Sequence, residues 1–225
     1  MSIHIFNTDF RDFLAEKAGN LPENTTSITD PPYNIEFPYN KYNDNLSADE
    51  YIEMLGKLAG MKAVIIHYPI PTMRYIIPAL GVPDDVMAWC YPSNLPHQMR
   101  LISYYGIKAD RNAVKQPYRN PNDKRIQARI KAGSEGARMY DWFADISIVK
   151  NVSKEKGKHP CPVPVALMER IILMTTQPGD TVFDPFMGCG TTAVAAIKTG
   201  RNFVGCEIDP LYFAECEKRI AGEVD

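Results

Sequence analysis

An α/β fold with a mostly parallel sheet is predicted by three features of the sequence. Short apolar strand patterns alternate with helical patterns along most of the chain. One of those strands runs through a glycine-containing turn straight into a helix of small residues, over FDPFMGCGTT at 183–192. The 225 residues, 45% apolar and 23% charged, suit a single domain over 1–225. A domain of that size buries roughly 70% of its unfolded surface without disulfides or a structural metal.

IHIF at 3–6 reads as the first strand, followed by a short helix near 9–18 and a second strand, TSITD, at 26–30. Ser47 and Glu50 form an S-x-x-E capping box that opens a helix ending near Gly60. KAVIIH at 62–67 is the next strand, then come a helix near 71–80, the strand DVMAWCY at 85–91 and another near 100–105. Residues 144–150 look extended, 164–176 helical, and TVFDPF at 181–186 is a buried strand. A small-residue helix over 191–199 closes at Gly200, NFVGCEI at 202–208 is a strand, and 211–221 forms a final amphipathic helix.

No apolar run approaches the ~18 residues of a membrane span, so a membrane protein is not expected. The beginning MSIHIFNTDFRD lacks the basic patch and apolar stretch of an export signal, and the cytoplasm is the expected compartment. The five cysteines are odd in number and form no C-x-x-C pair, and the four histidines lack metal-ligand spacing. Reduced thiols and no metal are therefore expected.

Charge is unevenly distributed. The whole chain carries a formal net charge of −2, yet residues 100–138 hold 10 Lys+Arg against 3 Asp+Glu. Tyr104, Tyr105 and Tyr118 are interleaved with the cations, a composition suited to following a phosphate backbone. Lys108, Arg111, Lys115, Arg119, Lys124, Arg125 and Arg129 are the expected phosphate contacts. A solvated basic loop is the plain alternative.

Two sites carry chemistry. The first joins a strand to a helix through Asp184, Pro185, Phe186, Met187, Gly188, Cys189, Gly190, Thr191 and Thr192. Gly188 and Gly190 remove side chains where a backbone approaches a ligand, and the following helix start offers N–H groups to an anion. Glu207, at the end of the next strand, is placed to accept ribose hydroxyls. A nucleoside-containing cofactor follows. The second site is Asp30-Pro31-Pro32-Tyr33, at the carboxyl end of another strand. Two prolines fix its backbone, leaving the Asp30 carboxylate and the Pro31 carbonyl as acceptors beside the Tyr33 ring. Two acceptors and an aromatic face suit a planar amine.

DPPY, FDPFMGCGTT and the downstream GCEID together resemble the S-adenosylmethionine-dependent DNA amino-methyltransferases. The order, with DPPY before the glycine loop, resembles the permuted β group of that family, whose target-recognition segment lies between the two motifs. The resemblance implies a Rossmann-like S-adenosylmethionine-dependent methyltransferase fold with helices on both sheet faces and a short basic target-recognition insertion around 106–140. It implies S-adenosyl-L-methionine as cofactor and double-stranded DNA as partner, and it leaves a homodimer open. IFNTDFRDFL resembles the family's stretch before DPPY, with Asp9 expected at the cofactor's adenine. KGKHPCPVPVALMERII resembles the His-Pro segment of the cofactor half, bringing in His159, with Val163 where many members carry a lysine.

The implied reaction places a flipped base against Tyr33, with its amine hydrogen-bonded to Asp30 and the Pro31 carbonyl so that the nitrogen lone pair is localised and aimed at the methyl group. Adenine N6 is the expected target, because DPPY is the form more typical of the adenine enzymes; N4 of cytosine is the alternative. A non-catalytic nucleic-acid-binding module would not need both motifs, and a methyltransferase acting on RNA, protein or a small molecule is the remaining reading.

Overall fold

In the computed structural model, residues 1–17, 21–93, 96–149 and 162–224 are described. The first half comprises β1 (Ile3–Phe6), α1 (Phe10–Lys17), β2 (Thr25–Thr29), α2 (Ala48–Gly56) and β3 (Lys62–His67). A broken helical stretch follows, α3 (Pro69–Pro71), a π-helical turn (Thr72–Ile76) and α4 (Ile77–Leu80). Pro78 has no N–H to return to the fourth carbonyl before it, which accounts for the break in the α pattern. After β4 (Asp85–Cys90) and β5 (Met99–Tyr105) the chain makes an excursion through β6 (Lys115–Gln116), α5 (Lys124–Lys131) and β7 (Ala137–Arg138) before β8 (Trp142–Phe143). The last part alternates regularly: α6 (Val165–Thr175), β9 (Thr181–Asp184), α7 (Thr191–Lys198), β10 (Asn202–Cys206) and α8 (Pro210–Val224).

Eight strands form one sheet in the order β1-β10-β9-β2-β3-β5-β4-β8. The first five in that order run parallel, and β5 enters antiparallel to both β3 and β4. β3 shows why the sheet is covered on both sides. Val64 and Ile66 belong to one core, with residues of α6 and α7. Ala63 and Ile65 belong to the other, with residues of α1 and α2. A strand buried on both faces is a continuous apolar run, as KAVIIH is. The capping box on α2 is present, with Ser47 Oγ accepting from the Glu50 N–H and the Glu50 carboxylate accepting from the Ser47 N–H.

Two expectations change. Residues 144–149 are not a strand, and pairing with β4 is confined to Trp142–Phe143. Side chains hold the segment instead: Asp145 is clamped by both terminal nitrogens of Arg170 at 2.7 Å, and the Ile146 carbonyl accepts from Trp89 Nε1 at 2.7 Å. The basic stretch is also partly ordered. Asp123 caps α5 by accepting from the Arg125 and Ile126 N–H groups, and β6 pairs antiparallel with β7. No helix among the described residues is long and apolar enough to cross a membrane.

Candidate active site

β2 and β9 are parallel neighbours, so the residues that follow them emerge side by side at the carboxyl edge of the sheet, where open α/β sheets hold ligands. DPPY follows the first strand and the glycine turn the second. Thr29 Oγ1 donates to Asp184 Oδ1 at 2.7 Å across 155 residues of sequence. Thr192 Oγ1 donates to Asp184 Oδ2 at 2.5 Å, and the Phe186 N–H reaches Oδ1 at 3.0 Å. Asp184 thereby fastens β2, β9 and the start of α7 together. Burial pushes its carboxyl up to about 6, against the pull of those three hydrogen bonds. Grouped with the cofactor contacts on sequence grounds, Asp184 here has its carboxylate engaged inside the protein. With Thr191, Thr192 and Val163 it borders a small recess.

The glycine turn has left-handed backbone at Gly188 (φ 53°) and Gly190 (φ 83°). The Gly188 N–H donates to Glu207 Oε2 at 2.9 Å and the Asp209 N–H to Oε1 at 2.8 Å. Burial lifts the Glu207 carboxyl to about 7, opposed by these two backbone donors. Gly190 also has a packing reason. A Cβ there would collide with Cys216 Sγ of α8, so the missing side chain makes room for a helix.

A cavity of ≈ 320 Å³ joins the two motifs, within the size range of small-ligand sites. Asp9, Phe186, Gly188 and Glu207 line one end; Asp30, Pro31, Pro32 and Tyr33 line the other. Asp9 is held by Arg11, with Nη2 at 2.6 Å from its Oδ2. Over the cavity lies a loop bearing Ile35, Phe37, Tyr39 and Tyr42. It is wound around the Asp44 carboxylate, which accepts from the N–H groups of Asn34, Ile35 and Phe37. The expected contact His159 lies outside the described residues.

The Asp30 end contains groups that the motif alone does not reveal. Tyr33 donates its hydroxyl to Asp30 Oδ1, and its ring packs 4.2 Å from the His67 ring and 4.8 Å, edge-on, from that of Tyr68. Burial holds His67 down at about 3, so this ring is neutral. Tyr51 donates its hydroxyl to the Pro32 carbonyl, which fixes the double-proline turn from behind. Arg100, from β5, places Nη1 3.2 Å from Asp30 Oδ2. Burial raises the Asp30 carboxyl above its ordinary range, while the Arg100 charge and the Tyr33 hydroxyl draw it back. The signal for Arg100 in the sequence is a lone cation inside the apolar strand pattern MRLISYY.

Of the expected phosphate contacts, Lys108, Lys115, Arg119, Lys124, Arg125 and Arg129 are exposed on the excursion. Arg111 instead makes an ion pair with Asp85 at 2.8 Å, which ties the excursion to β4. Lys115, Tyr118 and Arg129 share a concave surface between α5 and the β6–β7 pair. Arg119 packs 4.6 Å from the Tyr140 ring centroid and 4.9 Å from that of Trp142.

Comparison with known proteins gives concordant results. The DNA methylase family model matches residues 81–218. M.BglII of Bacillus subtilis, a Type II methyltransferase, is 27% identical over 258 aligned residues, which cover 98% of this chain and 69% of the relative. M2.DpnII of Streptococcus pneumoniae, also a Type II methyltransferase, is 42% identical over 94 residues, 42% of this chain; the match spans only 35% of that relative's length. Among solved structures, the M1.HpyAVI–SAM complex superposes with a TM-score of 0.66 at 24% identity, covering 97% of this chain and 98% of the other. That likeness speaks for the fold.

Proposed function

The chain belongs to the DNA methylase family, and on that premise we propose that it transfers a methyl group from S-adenosyl-L-methionine to the N6 amine of an adenine in double-stranded DNA. The observation that carries this reading is the Thr29–Asp184 hydrogen bond, which sets the amine acceptors and the glycine turn on one cavity.

The donor set fits the cofactor. Glu207 is 8% exposed at the cavity wall and each of its oxygens, having accepted one backbone N–H, retains a lone pair for a ribose hydroxyl. Asp9 is a second acceptor at the same end, for the adenine moiety, and Phe186 supplies an apolar surface. Gly188 allows the backbone close to the ligand. Asp184, Gly190, Thr191 and Thr192 act by shaping the turn. S-adenosylmethionine, when bound, supplies a methyl group already activated on a sulfonium.

At the other end Asp30 and the Pro31 carbonyl accept the two amine hydrogens. A base amine is a poor nucleophile while its lone pair is delocalised into the ring; two positioned acceptors favour a pyramidal nitrogen and orient the lone pair. Tyr51 and the prolines keep those acceptors from moving. Tyr33 and Tyr68 supply the aromatic wall for a base taken out of the stack, an extrusion that costs a few kcal/mol. The exposed cations of the excursion balance the phosphate charge. A charged acceptor at the first motif position makes the stronger bond to an amine, and DPPY is the form associated with adenine.

Incubation with methyl-tritiated S-adenosylmethionine and duplex DNA, followed by nucleoside digestion and mass spectrometry, tests the reading. N6-methyladenine is expected. N4-methylcytosine alone would correct the base, and label in RNA or protein but not in DNA would overturn the substrate.

A further inference from the structure

Arg100 is a cation placed where the reaction as derived above does not call for one. Its side chain is only 13% exposed. The guanidinium carbon lies 5.3 Å from the ring centroid of Tyr33, 5.4 Å from Tyr68, 5.5 Å from Trp89 and 6.0 Å from Tyr91. Its Nε is buried with no hydrogen-bond partner among the described residues, which costs free energy. An arginine held this way, by aromatic rings, the Tyr91 hydroxyl and one carboxylate, with its Nε left unpaired, is poorly explained as a structural tie. Its terminal nitrogen instead faces one oxygen of Asp30, while the Tyr33 hydroxyl takes the other.

We propose that Arg100 is a positioning residue for the methyl transfer, holding the Asp30 carboxylate ionised and in a fixed orientation so that its remaining lone pairs face the target amine. This rests on the reading of Asp30 given above. The aromatic groups keep the guanidinium in place without supplying competing anions, and an arginine remains charged at any working pH. The groups around Asp30 make the need plain. Asp184 on β9 is a second acid whose charge and that of Asp30 disfavour one another. Tyr33 and Tyr51 are neutral phenols raised by burial, and His67 on β3 is neutral. Burial favours protonation of Asp30, and Arg100, with the Tyr33 hydroxyl, opposes it. A protonated Asp30 would present a hydroxyl to the amine and lose one of the two acceptors.

The sign is therefore fixed. Removing the Arg100 charge raises the Asp30 pKa, so the ionised acceptor is lost at higher pH than in the wild type. Carbon-13 NMR titration of labelled aspartates, with the Asp30 signal assigned through Asp30→Asn, reads this without catalysis. Arg100→Met and Arg100→Gln are expected to move the Asp30 titration up by one pH unit or more, and Arg100→Lys to leave it within half a unit. In methyl-transfer assays the acid limb of kcat should move with it. The Met and Gln variants should lose about 10²-fold at neutral pH and recover part of that loss at higher pH, with Arg100→Lys restoring most of the rate. Calorimetric S-adenosylmethionine affinity near the wild-type value shows that each variant is folded. An Asp30 titration unchanged in a folded Met or Gln variant, or an equal loss of rate at every pH, overturns the proposal. A shifted titration in a protein that methylates no DNA would instead reject the methylation reading and leave the Arg100–Asp30 coupling standing.

Discussion

The turn after β9 and the excursion between β5 and β8 are built by opposite means. In the turn, Asp184, Thr191, Thr192 and Glu207 are all below 9% exposed, and each carboxylate is fixed by backbone N–H groups or short hydroxyl side chains. In the excursion, α5 contains no buried residue and its cations end in solvent. On the proposed function, the first arrangement recognises a small molecule through groups already in position. The second offers charge to a long polyanion, and its strength depends on how many counterions that polyanion releases. Geometry governs one region and ionic strength the other, so substitutions in the two should be separable by salt alone.

The largest expected effect lies at the cavity end beyond the turn. Asp30→Ala should lower the methyl-transfer rate by about 10²-fold or more while calorimetric S-adenosylmethionine affinity is unchanged; near-normal turnover would remove Asp30 from the reaction. Gly190→Val should destabilise the fold by about 1–3 kcal/mol from overpacking against Cys216, with added strain from its left-handed backbone, visible as a lower Tm together with weaker cofactor binding. A normal Tm with weak binding would return Gly190 to direct ligand contact.

Glu207→Ala should weaken S-adenosylmethionine roughly tenfold, about the contribution of one or two hydrogen bonds to a charged group. The wild type adds a pH signature. Ribose hydroxyls favour the ionised carboxylate, which burial holds at about 7 in the protein alone. Affinity should then fall as pH drops through that value, with proton release on binding at pH 6. Calorimetry in buffers of different ionisation enthalpy measures the proton count, and Glu207→Gln should abolish the dependence. The smallest effects belong to the excursion. Lys115→Ala and Arg129→Ala should each weaken DNA binding a few-fold and reduce the salt slope by about one. A loss insensitive to salt would make these residues part of a packed site and erase the contrast.

What the sequence disclosed follows the same division. DPPY and the glycine turn were legible because prolines fix the backbone and glycines free it wherever they occur, and Glu207 because it stands at the end of a strand. Arg100 stood out only as a lone cation in an apolar strand, because its partner Asp30 is reached only when β5 inserts antiparallel beside β3, a placement that no local pattern encodes. The packing of Gly190 against Cys216 depends on α8 crossing behind it, again a tertiary fact. α5 was hidden because KRIQARIK has few apolar residues and no buried face. Conversely, the extended look of 144–150 came from local composition, and ties to Arg170 and Trp89 decided otherwise.

The seam between β2 and β9 also has a consequence for synthesis. β1 pairs with β10, and β2 with β9 as well as with the nearby β3, so β1 and one edge of β2 wait for partners made much later. Contacts of such sequence separation form late and slowly. Until β9 and β10 emerge, the apolar flanks of β2 and β3 lack part of their cover, which leaves a nascent chain exposed to aggregation. The same delay has a protective side: on the proposed function, a nascent chain not yet extended past Thr181 holds the amine acceptors but not the glycine turn, and should not methylate DNA.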